Sequence, residues 1–268
     1  MNNRPIGILD SGVGGLSVWK EIVQMLPNES TIYLADSINC PYGDRSEEEI
    51  FSLAKRLIQF LVEKKVKLVI VACNTITVVC IDRLRVEFEN LPIVGLVPAV
   101  KTAAEKTKNK RIGILSTPIT ARSAYQKNLI EKFAKEYDVV NVGTEELVPL
   151  IERGQIDSKS IKKILRKILN EFIIKDVDMI VLGCSHFPFL RDSIGEVMGD
   201  KIKILDSGEA VARQVKRVLS RNNSFSLLNN PSHLFYTTGG VKEFAKVSKK
   251  LVGGRFEDLI KSARAVLL

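Results

Sequence analysis

At 268 residues the chain can hold one large domain or two small ones, and 45% hydrophobic with 26% charged residues describes an ordinary soluble globular protein. No apolar run approaches the ~20 residues of a membrane span, and the opening MNNRPIGILDSG lacks the apolar core of a signal peptide, which points to a cytoplasmic protein without a membrane partner. The net charge of +9 invites a nucleic-acid partner, but the basic residues fall in helical stretches such as KKILRK around Ile164 and KKL ending at Leu251. They are interleaved with core positions and lack aromatic platforms, so a solvated basic surface is the better reading and no nucleic acid is implied.

The first buried-strand candidate is IGIL from Ile6. It exits into DSGVGG, which carries Asp10 and Ser11 toward a helix through glycines, and backbone N–H groups at such a turn can hold a carboxylate. GVGG lacks the spacing of a dinucleotide fingerprint. TIYLA from Thr31 is the next strand, followed by the turn-like ADSINCPYG with Asp36, either a site residue or a turn former. A helix opens at Ser46 with the capping box SEEE and carries Ile50, Leu53, Ala54, Leu57 and Leu61 on one face.

LVIVA from Leu68 is short, continuous and β-branched, as in a strand buried on both faces of a parallel sheet. It delivers Cys73, Asn74 and Thr75 to the start of a helix, at the carboxyl edge where open α/β sheets bind ligands. IVGLV from Ile93 follows. IGIL from Ile112 leads into STPIT with Ser116, Thr117 and Thr120, and DVVNV begins at Asp138. MIVLG from Met179 ends at Cys184, Ser185 and His186, and IKIL starts at Ile202.

These strands form two sets. Ile6 corresponds to Ile112, Thr31 to Asp138, Leu68 to Met179 and Ile93 to Ile202, at offsets of 106 to 111 residues. The exits correspond too, ILDSG with ILSTP and VACNT with LGCSH. The expected fold is therefore α/β: two pseudo-symmetric domains with mainly parallel sheets and right-handed crossovers, and an active site in the cleft between them. The tail after DSGEAVARQVKRVL, with its strand candidate HLFYTT, is expected to return to the first unit. The domains are then residues 1–96 plus 210–268, and 97–209.

In that arrangement Cys73 and Cys184 face each other. A thiol at a helix N-terminus is expected to have its pKa lowered from about 8.5 toward neutrality. One thiolate taking a proton while the opposite thiol gives one is what inverting a stereocentre requires. A lone Cys73 could equally be a small buried hydrophobe, and His186 could be a helix-capping or buried hydrogen-bonded histidine rather than a partner of Cys184. Cys80 reads as core packing, and Cys40 as a thiol beside the pocket that does not react. All four cysteines are expected free, and no spacing resembles a structural metal site.

The motifs ILDSGVGGLSV, CPYGDRS, VACNTIT, STPITARSAY, EELVPLIERG and LGCSHFPFL, in this order, resemble the glutamate racemase family from Ile6 to about Ala212. The resemblance implies racemisation of L- and D-glutamate for peptidoglycan by two cysteines, with neither pyridoxal phosphate nor metal, in a homodimer whose arrangement the sequence does not report. It implies Cys73 as the base toward D-glutamate and Cys184 as the base toward L-glutamate. Asp10 and His186 would assist their respective thiols, and Glu152 would orient the histidine. Asp10, Ser11, Pro41, Tyr42, Gly43, Asn74, Thr75, Thr117, Thr120 and Ser185 would hold the substrate. Ser185, Phe187, Ile76 and Ile119 depart from the family's usual residues but leave the acid–base set intact. The rival readings are an aspartate racemase, one methylene away and separated by only ~1–3 kcal/mol in a pocket, and a non-catalytic amino-acid-binding protein.

Overall fold

The computed structural model describes residues 1–199, 201–260 and 263–268. Its strands are β1 (Ile6–Asp10), β2 (Thr31–Ala35), β3 (Leu68–Val71), β4 (Ile93–Gly95), β5 (Arg111–Ser116), β6 (Asp138–Gly143), β7 (Met179–Gly183), β8 (Lys203–Leu205), β9 (His233–Thr237) and β10 (Ala263–Ala265). They build a six-stranded sheet in the order β10-β9-β2-β1-β3-β4 and a four-stranded sheet in the order β6-β5-β7-β8. Every pairing among the described residues is parallel, and helices fill the crossovers.

The internal repeat appears as topology. The order β2-β1-β3-β4 of the first sheet recurs as β6-β5-β7-β8 in the second. Ile6 pairs with Thr31 and Leu68, and its counterpart Ile112 pairs with Val139 and Met179. The tail strand β9 continues the first sheet, with Thr31 opposite His233. Strand β10 has no counterpart in the sequence reading: three residues, Ala-Arg-Ala, show no periodicity and become a strand only by pairing with β9.

Local sequence explains the elements around the cleft. Helix α1 (Leu16–Met25) begins directly after the glycines and buries Leu16, Val18, Trp19 and Ile22. Trp19 packs edge-on against Phe235 of β9, with centroids 5.2 Å apart, and its indole N–H donates to the Thr31 hydroxyl at 3.0 Å. Helix α2 (Glu47–Glu63) is capped by Ser46, whose hydroxyl accepts from the Glu49 N–H, and buries the five apolar residues expected of it. Helix α3 (Asn74–Glu87) starts at once after β3 and has Cys73 as its N-cap residue. Cys80 lies in the apolar core around α2 and α3.

One buried ion pair ties the ends of the first unit together. Lys67 Nζ sits 2.5 Å from Glu29, with both side chains almost fully buried, and donates at 2.7 Å to the carbonyls of Asn2 and Ser224. Glu29 also accepts from the Ser226 N–H at 2.8 Å. Removing one member leaves the other charge uncompensated. Lys67→Met should therefore lower unfolding free energy by about 3–5 kcal/mol. A Lys67→Met/Glu29→Leu double variant should recover most of that loss in urea titrations.

Candidate active site

Strands β1 and β3 of the first sheet, and β5 and β7 of the second, point their carboxyl ends at one another. The residues leaving them enclose a cavity of ≈ 10 Å³. Ser11, Cys73, Asn74 and Thr75 line it from the first unit, with Pro41, Tyr42 and Gly43 of the CPYG loop. Thr117, Cys184, Ser185 and His186 line it from the second. Both thiols thus border the same cavity, 4% and 5% exposed. Val148 also lines it, an apolar residue in which no sequence pattern signals a site role.

Side chains bolt the two units together around this cavity. Ser185 Oγ donates to Asp10 Oδ2 at 2.9 Å, and Ser17 Oγ donates to the Ser185 carbonyl at 2.8 Å. The Val13 N–H donates to Glu152 Oε1 at 2.8 Å. The hydroxyls of Thr75 and Thr117 lie 3.0 Å apart. Thr120 does not line the cavity; its hydroxyl stands behind, 2.9 Å from that of Thr117 and 3.5 Å from that of Thr75. It is in position to orient those two rather than to touch a ligand itself. Asp36 is likewise set back: it accepts from the Tyr42 hydroxyl at 2.5 Å and from Thr238 at 2.7 Å, and so anchors the CPYG loop to the end of β9.

Electrostatics differ on the two sides. Asp10 is fully buried, and desolvation raises its carboxyl from 3.8 to about 6, against the pull of His186, the Gly12 N–H and the Ser185 hydroxyl. The lowering expected for Cys73 at the N-terminus of α3 is overturned. Burial, reinforced by the negative charge of Asp10, pushes this thiol up to about 12, because desolvation in a closed cavity outweighs the partial charge of a helix end. The Cys73 thiol donates toward Ser11 Oγ at 3.8 Å. Around His186, burial favours the neutral ring, but the thiols of Cys184 and Cys40 and the Glu152 carboxylate outweigh it and hold the imidazole well above its ordinary value. His186 Nε2 lies 2.5 Å from Glu152 Oε1, and Nδ1 lies 3.9 Å from Cys184 Sγ. His186 occupies the N-cap position of the short turn Phe187–Leu190, but its side chain makes no capping hydrogen bond and instead links the Glu152 carboxylate to the Cys184 sulfur. Cys40, half-buried, stands beside this group with its thiol raised to about 11 by burial.

Comparison with known proteins bears directly on this geometry. The family model for Asp/Glu/Hydantoin racemases matches residues 6–215. The chain belongs to that family. Within it, the glutamate racemase of Lactobacillus helveticus is 41% identical over 257 residues, covering 94% of this chain and 95% of that protein. The glutamate racemase of Clostridium botulinum is 36% identical, covering 93% and 97%. Among solved structures, glutamate racemase isoform RacE1 of Bacillus anthracis superposes with a TM-score of 0.87 at 30% identity, covering 100% of this chain and 99% of that one. The Francisella tularensis glutamate racemase, solved with D-glutamate, gives 0.84 at 28% identity over 100% and 98%.

Two outcomes follow from the site as built. A Cβ on Gly14 would stand 2.2 Å from His186 Nδ1 and 2.6 Å from Ser185 Oγ, whereas one on Gly195 meets nothing within 4 Å. Gly14→Ala should cut turnover about 10²-fold, the cost of a ~1 Å misplacement, with the circular dichroism spectrum unchanged, and Gly195→Ala should be neutral. Asp10 binds a proton in the folded state between its unfolded value of 3.8 and its folded value of about 6. This group's contribution to stability should therefore fall as pH rises across that window, by about 3 kcal/mol. Asp10→Asn should flatten that slope in denaturant titrations at pH 4 to 7.

Proposed function

We propose that the protein interconverts L- and D-glutamate by moving the α-proton between Cys73 and Cys184. The observation that carries this reading is that both thiols line one small cavity from equivalent strand ends of a repeated fold, in a chain of the Asp/Glu/Hydantoin racemase family. In one direction Cys73 takes the α-proton of D-glutamate while Cys184 supplies a proton to the opposite face. In the other direction the roles exchange. One C–H bond breaks and one forms, and the protein ends with the same number of protons.

Each thiol has its own assistant. Asp10, ionised above about pH 6, is the acceptor for the Cys73 proton, and the buried, strongly basic His186 backed by Glu152 serves Cys184. Ser11, Pro41, Tyr42, Gly43, Asn74, Thr75, Thr117 and Ser185 hold the substrate, and Thr120 sets the two threonines from behind. The N–H groups at the start of α3 suit a carboxylate. Asn74 Oδ1, buried with no hydrogen-bond partner among the described residues, suits the ammonium group. A cavity of ≈ 10 Å³ holds at most about one water, so glutamate enters only when the two units part.

On the same footing, we propose a discontinuous first domain of residues 1–96 plus 210–268 and a second of 97–209. Also proposed are a homodimer, a cytoplasmic location and supply of D-glutamate to peptidoglycan; no described helix is long and apolar enough to cross a membrane. In deuterium oxide without pyridoxal phosphate, L-glutamate should racemise and exchange its α-proton for solvent deuterium. Cys73→Ser or Cys184→Ser should each cut that rate by about 10²–10⁴-fold. The rate should rise with pH through about 6 as Asp10 ionises, and Asp10→Asn should remove that limb. Turnover of aspartate with glutamate inert would keep the mechanism and replace the substrate; neither reacting would favour a binding protein.

A further inference from the structure

The thiol of Cys40 neither takes nor gives the α-proton, yet it stands beside His186 and helps hold the pKa of that imidazole up. One donor atom each of Cys40, Glu152 and His186 falls within a sphere of 4.8 Å mutual distance. Cys40 comes from the loop after β2 of the first sheet, whereas Glu152 and His186 belong to the second unit. Sulfur, imidazole nitrogen and carboxylate oxygen together are the donor set of a borderline-soft divalent ion such as zinc, and three protein ligands leave a fourth position open. Magnesium and calcium, which prefer oxygen alone, are poorly suited.

We propose that Cys40, Glu152 and His186 form an inhibitory site for Zn²⁺ that staples the two units shut across the cleft. Tetrahedral zinc with ordinary bond lengths sets its donors about 3.3–3.6 Å apart. The His186–Glu152 pair, now at 2.5 Å, spreads by about 1 Å to admit the ion, and the three donors already lie within 4.8 Å of one another. Zinc takes the place of the proton held between His186 and Glu152. The Cys40 thiol also releases its proton to solvent, so metal charge balances the protons lost.

The surroundings already orient the ligands. The Val13 N–H fixes Glu152 Oε1 at 2.8 Å, and the Ser185 hydroxyl lies 3.4 Å from His186 Nδ1, which leaves Nε2 on the Glu152 side. Such outer partners are what set ligand direction in metal sites. The Glu152 side chain is 20% exposed, which gives an ion a way in without opening the cavity. Once bound, zinc removes His186 from service to Cys184 and bridges the units that must part to admit substrate. The effect on turnover rests on the racemase reading; the metal site does not.

Cobalt(II) titration of the full-length, metal-free protein tests this directly, because cobalt bound to a thiolate gives a charge-transfer band. The chain should bind one cobalt with that band. Cys40→Ser should weaken binding by about 100-fold or more, at least the upper end of what a lost outer partner costs, and Cys40→Ala should do the same. Cys73→Ser and Cys184→Ser should keep the band. Zinc should displace the cobalt and stop glutamate racemisation until a chelator is added. Racemisation by Cys40→Ser, at whatever rate it runs without metal, should not change when zinc is added. A band that survives in Cys40→Ser but disappears in Cys73→Ser or Cys184→Ser would put the metal between the other two thiols and overturn the proposal. Failure of the native chain to bind cobalt would do so too. Should the chain prove unable to racemise glutamate, the cobalt measurements still decide the site.

Discussion

Asp10 Oδ2 and Ser185 Oγ meet at 2.9 Å although 175 positions separate them in the chain, and much of the chemistry follows from the closure that this hydrogen bond represents. With the Val13–Glu152, Ser17–Ser185 and Thr75–Thr117 contacts it draws two sheet edges together until almost no free volume remains between them. Burial then raises the carboxyl and the thiol on the first unit's side. The Asp10 carboxyl rises to about 6 and the Cys73 thiol to about 12. Burial between the two sheet edges therefore keeps Cys73 protonated. Bringing a carboxylate-rich, ammonium-bearing ligand between the units changes both the charge and the solvation that hold it so.

The scaffold is symmetric while its acid–base equipment is not. The repeat delivers one thiol from β3 and another from β7, but beside the first stand a carboxylate and a hydroxyl, and beside the second an imidazole hydrogen-bonded to a carboxylate. An asymmetric pair suits a reaction in which one face must lose a proton and the other gain it. The parallel architecture makes this possible, since parallel strands bring all of their carboxyl ends to the same edge.

Crowding around the glycines of DSGVGG shows how narrowly the cleft is fitted. Cβ atoms at Gly12 and Gly14 would strike Glu152 and His186, so the absence of side chains there lets the turn after β1 reach across to the second unit. The same closeness gathers Cys40 with Glu152 and His186. A thiol carried by the loop after β2 thereby comes within reach of a carboxylate and an imidazole of the second unit.

Much of this was legible in the linear chain because it rests on local rules. Buried strands announce themselves as short β-branched runs, the Ser46 cap precedes its helix, and a repeat of strand exits implies equivalent sheet edges. Family motifs singled out the two thiols and several of the side chains that the structure gathers around them. What local patterns could not supply is solvation, because it depends on residues distant in sequence closing over one another. That is why the expected depression of the Cys73 pKa gave way to an elevation, and why Val148 and Ser17 went unnoticed. It is also why Thr120 stands behind its neighbours and why Ala263–Ala265 forms a strand. The sequence by itself determined the strands, the repeat and the residues at their ends. Only the tertiary structure decided how far those ends are sealed from water, and so which groups hold their protons.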